Sequence, residues 1–427
     1  MTEVACRAVV PLPSVTRRIA VRLVVALLAL SLLIPAIGEA NDSPSLKGAD
    51  TAHAVVAKKK KRKRCKRYRW VRVKRNGHFV KRHGRYKRVK RPCVRKRKTS
   101  QPAPAPPSAP APPAAPGFTV GTVSGPSPVW ESNLMPSLHP RMVRFETSID
   151  TPASRLAQYV SGMAAKGTEV IIMASFYGRI PSTSEAQNLG SWAKAFGPGG
   201  TLWKGRSDSA YATRYIEFGN ETNQSYQFGC GPGCSGYKSR AQQYATRAKE
   251  AAQAIAAANP NTKLLAIGED GNCHCSDWVD GMFSAVPDLN KWIGGWTLHP
   301  YGPKRRYGPL FDQIMKDTAK HGDTTLPFFA TEYGISTDNG RCVNKNYEWP
   351  LCLTYAQAAA NLTAAVNDMH ASYPRLRALM IYNQRDQANS GSTTSYEGYF
   401  GAMQKSGAPK GAYTSAVQQL LAQYRGA

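Results

Sequence analysis

From Gly117 onward the apolar positions fall into short β-type runs separated by stretches with helical spacing. Eight runs can be counted: Phe118–Ser124, Met142–Ile149, Glu169–Tyr177, Tyr215–Asn220, Lys263–Gly268, Gly295–His299, Phe328–Thr331 and Ala378–Tyr382. Helical patterns cover Pro152–Lys166, the Ala-rich Ser239–Ala258, Tyr355–His370 and Tyr413–Tyr424. Apolar runs alternating with helices suit a parallel sheet, whose strands are buried on both faces by crossover helices. Eight such units over roughly 300 residues predict an α/β fold, a closed (β/α)8 TIM barrel spanning 117–427. An open doubly wound sheet would open on a Gly-rich phosphate turn, and none stands early in this domain.

The chain upstream has a different character. Arg17, Arg18 and Arg22 precede an apolar run from Leu23 to Ile37, then Gly38-Glu39-Ala40, so residues 1–40 read as a signal peptide. Thr16-Arg17-Arg18 is a weak pointer to twin-arginine export, and a retained anchor is the alternative, the run being near the short limit for a bilayer span. In both cases the remainder is expected outside the cytoplasm, secreted or wall-associated. Residues 41–57 read as a flexible stretch.

Net charge is +30, but its distribution changes its meaning. Residues 58–98 hold 24 of the 57 Lys and Arg and no acid, whereas from Ser100 onward 28 Lys and Arg face 23 Asp and Glu. The basic character therefore belongs to one segment. Its cations interleave with Tyr68, Trp70, Val71, Val73, Phe79, Val80, Tyr86 and Val89 around Asn76-Gly77, a strong hairpin signal. An anionic cell-wall polymer is the expected partner, a solvated polycationic spacer is the alternative, and export weighs against nucleic acid. Residues 99–116 form a linker: Pro fills eight of the sixteen positions from Gln101 to Pro116. A polyproline II stretch of that length spans about 50 Å.

Eight of the nine cysteines fall in local pairs, Cys65/Cys93, Cys230/Cys234, Cys273/Cys275 and Cys342/Cys352, and Cys6 lies in the signal. An even set in an exported chain favours disulfides, with connectivity open. Cys273-His274-Cys275 lacks a second ligand pair at zinc spacing. No metal or organic cofactor is expected.

Two strand ends carry candidate chemistry. The fourth run ends in Asn220-Glu221 and the seventh in Thr331-Glu332-Tyr333-Gly334. Strands four and seven of an eight-strand barrel face each other across its mouth, so their carboxylates can converge on one bond. Glycoside cleavage needs that arrangement, one carboxyl protonating the leaving oxygen while the other attacks the anomeric carbon or activates water. Glu269, Asp270 and Asp386 read as loop acids.

These residues, with Arg144 in Val143-Arg144-Phe145 and with His299-Pro300-Tyr301, resemble the clan A glycoside hydrolases, retaining (β/α)8 glycosidases. Glu217-Phe218-Gly219-Asn220-Glu221-Thr222-Asn223 and Leu298-His299-Pro300-Tyr301-Gly302 resemble families 5, 39 and 51 without settling on one. The resemblance implies Glu221 as acid/base, Glu332 as nucleophile, Arg144 pairing with Glu332, and Asn220 bonding the sugar 2-hydroxyl. It also implies that Tyr301 or Tyr333 orients Glu332 and that His299 contacts substrate or Glu221. Two departures stand out. Thr222 occupies a position where the clan often has Pro, and Tyr382-Asn383-Gln384-Arg385 stands where many members present a Trp. Trp192, Trp203 or Trp296 are the candidates for a stacking face instead. The implied activity is a retaining β-glycosidase acting on a polysaccharide or oligosaccharide as a monomer. The alternative is an inactive barrel that binds glycans at the cell surface.

Overall fold

The computed structural model describes residues 117–124, 137–228, 234–267, 277–343 and 352–426, and strand segments within 68–92. The chain divides into two compact units, Met1–Ala109 and Pro110–Ala427. In the first, Tyr68–Arg72 pairs antiparallel with Arg88–Pro92, and Lys81–Arg82 with Arg85–Tyr86. The Lys74–Phe79 and Arg75–His78 pairs bracket the Asn76-Gly77 step in sequence. The signal segment, the linker, the Cys65/Cys93 pair, Cys230, Glu269, Asp270 and Cys273-His274-Cys275 lie outside the described residues.

In the second unit eight parallel strands close into a barrel. They are β1 (Thr119–Val123), β2 (Met142–Ser148), β3 (Glu169–Ser175), β4 (Tyr215–Phe218), β5 (Lys263–Ile267), β6 (Gly295–Leu298), β7 (Phe328–Tyr333) and β8 (Leu376–Ile381). Each lies beside the next, and β8 pairs with β1. The outer helices are α1 (Ala153–Ala164), α2 (Thr183–Phe196), α3 (Tyr237–Ala258), α4 (Asp277–Ala285), α5 (Lys304–Lys320), α6 (Tyr355–Ser372) and α7 (Ala412–Gln423). Helices α2, α4 and α5 are additional to those expected from the sequence. Helix α5 runs through Gly308 and Pro309, both unfavourable inside a helix, and its buried face of Tyr307, Leu310, Phe311 and Ile314 outweighs their cost.

Two separate apolar clusters fill the domain. One lies between strands and helices; the other, of Val123, Met142, Ile171, Leu265, Phe329, Ala378 and Met380, plugs the barrel interior. Gly121 is required there, because a Cβ would stand 2.4 Å from the Met142 carbonyl oxygen and 2.6 Å from the Met380 sulfur.

Strand side chains alternate with period two, so the next inward positions after this plug are two residues along each strand. Arg144 follows Met142, Glu217 follows Tyr215, Thr331 follows Phe329 and Tyr382 follows Met380. The interior thus changes from an apolar layer to a polar one toward the C-terminal ends of the strands. That polar layer is the floor of the site.

Beyond β8 the chain folds back over the barrel. Lys410, fully buried, donates to Asp386 Oδ1 at 2.8 Å and to the carbonyls of Tyr399 at 2.9 Å and Gly401 at 3.0 Å. Burial pushes the Asp386 carboxyl up and the Lys410 amine down, each opposed by the charge of the other. Asp386 is therefore a buried structural partner as well as a residue of the cleft wall. Cys342 and Cys352 form a disulfide. Among the described residues no helix is long and apolar enough to cross a membrane.

Candidate active site

Arg144 organises the site from β2. Its Nε donates to Glu217, Nη1 donates to Glu332 Oε1 at 2.6 Å, and Nη2 donates to Asn220 Oδ1 at 2.7 Å. Arg144 is 2 % exposed and Glu217 fully buried. Burial alone would lower the guanidinium pKa, and the charges of Glu217 and Glu332 outweigh it, so the group stays charged.

Backbone irregularities aim both candidate carboxyls inward. After β4, Gly219 has φ +87° and Glu221 φ +44°. A Cβ on Gly219 would meet Phe176 and Thr222 at 2.6 Å. Left-handed backbone at a glutamate is costly and is held by the surrounding structure. In β7 the pairing with β8 shifts between Ala330 and Tyr333. Strict alternation would send Thr331 and Glu332 to opposite faces; this irregularity lets both serve the site.

Glu221 Oε1 lies 2.8 Å from His299 Nδ1, which is also 3.5 Å from Glu332 Oε2. One oxygen of each carboxylate and a ring nitrogen of His299 all lie within 4.8 Å of one another. Tyr301 donates to Glu332 Oε2 at 2.9 Å. Burial first, then the charge of Glu332, pushes the Tyr301 phenol well above its usual range, which keeps its proton available for donation. Such a His-Glu-Glu group could approach a single cation. Here Glu332 already accepts from Arg144 and Tyr301 and Glu221 is engaged by His299, so the arrangement fits acid–base chemistry better than metal ligation.

Above these residues lies a cleft of about 890 Å³. Arg144, Asn220, Glu221, Tyr301 and Glu332 line it, with Tyr226, Tyr382 and Glu397 on the walls. His299, 3 % exposed, is behind this surface and touches Glu221 from there. Tyr333 is fully buried and donates to the Gly302 carbonyl at 3.4 Å; it is not among the lining residues, so the expectation that it touches substrate or orients Glu332 gives way to Tyr301. The reason is the register shift in β7: strict alternation from the inward Thr331 would turn Tyr333 inward too, but past the irregularity Tyr333 points toward the helices, edge-on to Tyr307 of α5. Trp192, Trp203 and Trp296 are buried packing residues whose indole N–H groups donate to Thr151, Phe196 and Asp323, so none offers a stacking face.

Several residues of the site escaped the sequence reading, among them Glu217, Tyr382 and Glu397. Glu217 was detectable as a charge between Ile216 and Phe218 within a buried strand. Tyr382 takes a place on the cleft wall where a Trp was looked for. Glu397 comes from the loop after β8; burial, then the charges of Glu332 and Glu221, raise its carboxyl pKa, against a hydrogen bond from Tyr396. No local pattern marks that residue.

No family model matches the chain, and no curated protein does. Among solved structures it is similar to a glucosidase from Croceicoccus marinus, at 12% identity and TM-score 0.51 over 73% of this chain and 69% of that one. What the two share is the (β/α)8 barrel fold. A GH39 enzyme from Xanthomonas axonopodis pv. citri (14% identity, TM-score 0.48, 73% of this chain and 68% of that one) and the GH53 catalytic domain of Ignisphaera aggregans (12%, 0.49, 73% and 99%) are more distant in shape. Identities at this level speak to the fold alone, and the activity rests on the site.

Proposed function

We propose that the barrel domain is a retaining glycoside hydrolase that cleaves β-glycosidic bonds in a polysaccharide or oligosaccharide. One observation carries this reading: carboxylate oxygens of Glu221 and Glu332 approach within 4.8 Å at the cleft floor. Retaining enzymes hold their carboxyls about 5–5.5 Å apart, and inverting enzymes need about 6.5–9.5 Å to admit water. Glu332 attacks the anomeric carbon while Glu221 gives its proton to the departing oxygen. The glycosyl–Glu332 ester is then hydrolysed by a water whose proton returns to Glu221. Arg144 and Tyr301 hold Glu332 so that a lone pair faces the sugar, and Asn220, itself held by Arg144, is placed to bond the sugar 2-hydroxyl. Tyr226, 56 % exposed on the cleft wall, offers a ring for a further sugar unit.

A 2-deoxy-2-fluoro glycoside with an activated leaving group tests the mechanism, because it slows release of the intermediate. Mass spectrometry of a digest is expected to find the sugar esterified to Glu332. Inversion at the anomeric carbon, or a label on another residue, would rule the mechanism out; tight glycan binding without turnover would favour a binding protein.

Export and wall association belong to the same proposal. The Arg17–Ala40 segment and the Cys342–Cys352 disulfide support export. The acid-free basic segment at 58–98 supports attachment to an anionic wall polymer. Salt above a few hundred millimolar is expected to strip the protein from whole cells; protein that is never cell-bound at low salt would count against attachment.

A further inference from the structure

Beneath the two candidate catalytic carboxylates a hydrogen-bond chain runs from β2 to the acid/base. Arg144 Nε engages Glu217 Oε2, and Thr331 Oγ1 donates to Glu217 Oε1 at 2.8 Å. His299 Nε2 lies 3.1 Å from the same Thr331 oxygen, and Nδ1 lies 2.8 Å from Glu221 Oε1. The donors can be assigned along the chain. A hydroxyl has one hydrogen, and here it goes to a carboxylate oxygen, which accepts. The Thr331 oxygen therefore meets Nε2 with a lone pair, so Nε2 carries the ring hydrogen. Neutral His299 then presents a bare Nδ1 lone pair to Glu221. At 2.8 Å a proton must lie between the two atoms, so the Glu221–His299 pair holds one proton more than an isolated carboxylate and neutral imidazole would.

We infer that Glu217 and Thr331 are positioning residues that set the His299 tautomer and thereby keep the acid proton at Glu221. The inference rests on the proposed glycosidase mechanism and deepens it. In the first step that proton goes to the glycosidic oxygen as its bond to the anomeric carbon breaks, the electron pair stays on the leaving oxygen, and Glu332 forms the new bond. Glu221 is left as a carboxylate facing a lone pair. It therefore draws a proton from the incoming water in the second step, which restores the starting pair.

Other charged and titratable groups surround the pair. Glu332 Oε2 is 3.5 Å from Nδ1 and is bonded by Tyr301; Arg144 faces it from β2; and Glu397 and Tyr382 face it from the chain after β8. Their charges act on Glu221 in either tautomer. The relay alone decides whether Nδ1 accepts or donates.

Thr331→Val keeps the side-chain shape and removes both hydrogen bonds. His299 is then free to carry its hydrogen on Nδ1 and donate to an ionised Glu221. The alkaline limb of kcat/KM is expected to move about one pH unit lower, the effect of one hydrogen bond changing sides. Substrates with poor leaving groups are expected to lose about tenfold or more, whereas a dinitrophenyl glycoside, which needs no acid, keeps its rate; Thr331→Ser restores the first class. An equal loss on both substrates with an unmoved limb would show a merely structural role and overturn the inference. A second readout needs neither activity nor the variant: ¹⁵N NMR of histidine-labelled wild-type full chain, with His299 assigned by substitution. A neutral ring carrying its hydrogen on Nε2 is expected; a neutral ring carrying it on Nδ1, or a doubly protonated ring, which would leave Glu221 ionised, would overturn the inference, whatever the enzyme hydrolyses. If wild type turned over no glycoside while this tautomer was found, the proposed function would fail and the relay would stand.

Discussion

Replacing Glu332 by Gln is expected to lower kcat on a β-glycoside by at least about 10⁴-fold, the scale on which removal of a hydrolase nucleophile acts. Such a loss corresponds to about 5.5 kcal/mol of barrier. Gln keeps the shape and one acceptor oxygen, enough for Arg144, while its amide N–H can donate to the Tyr301 hydroxyl oxygen, but it cannot form the glycosyl ester. Glu221→Ala should cost about 10²–10⁴-fold through loss of acid–base catalysis. Its signature is more telling than its size. On an activated aryl glycoside the first step needs no proton, so the Glu221 variant should accumulate the Glu332 ester. Azide, which needs no general base, then attacks the ester and releases a glycosyl azide of retained configuration. Undiminished turnover by either variant, or azide rescue giving the inverted product from the Glu221 variant, would remove these residues from their roles.

The second large effect concerns Arg144. Arg144→Met should lower folding stability by about 3–5 kcal/mol, the range for removing one partner of a buried ion pair. Glu217, fully buried, would lose its cation, and Glu332 and Asn220 would lose the donor that aligns them. Urea unfolding with an unchanged m-value checks the stability, and kcat on the folded fraction should fall as well because the nucleophile is no longer held. Arg144→Lys serves as the control. A lysine restores the charge but, as a point donor, cannot serve three acceptors with the fixed geometry of a guanidinium. It should recover part of the stability and little of the activity. A Met variant as resistant to urea as wild type would mean that Glu217 is satisfied in another way.

The convergence of the two candidate carboxylates was legible because barrel strands have countable ends. Glu221 and Glu332 each stand at the close of an apolar run, and the order of the runs placed them opposite each other. Arg144, Asn220, His299 and Tyr301 were named through the family resemblance, and the structure gathers them around the same two carboxylates. Tyr333 was misplaced because the register shift in β7 resets the alternation of faces past Glu332, and no local pattern shows such a shift. Indole size suits packing as well as stacking, so the sequence left both readings open for the three tryptophans; their N–H partners, which decide for packing, come from separate elements that no local pattern shows.

Sequence alone determined the alternation of strand and helix patterns, the shifts in composition along the chain and the two glutamates at strand ends. These are properties of local spacing and composition, which a short stretch of chain carries by itself. The tertiary structure decided the rest. The register irregularity in β7 and the left-handed backbone at Glu221 turn the carboxyls inward. Closure of the barrel brings Glu217, Thr331 and His299, distant in sequence, into one hydrogen-bond chain. The physical reason is that a hydrogen bond between strands four, six and seven depends on barrel closure and register, and no single segment encodes either.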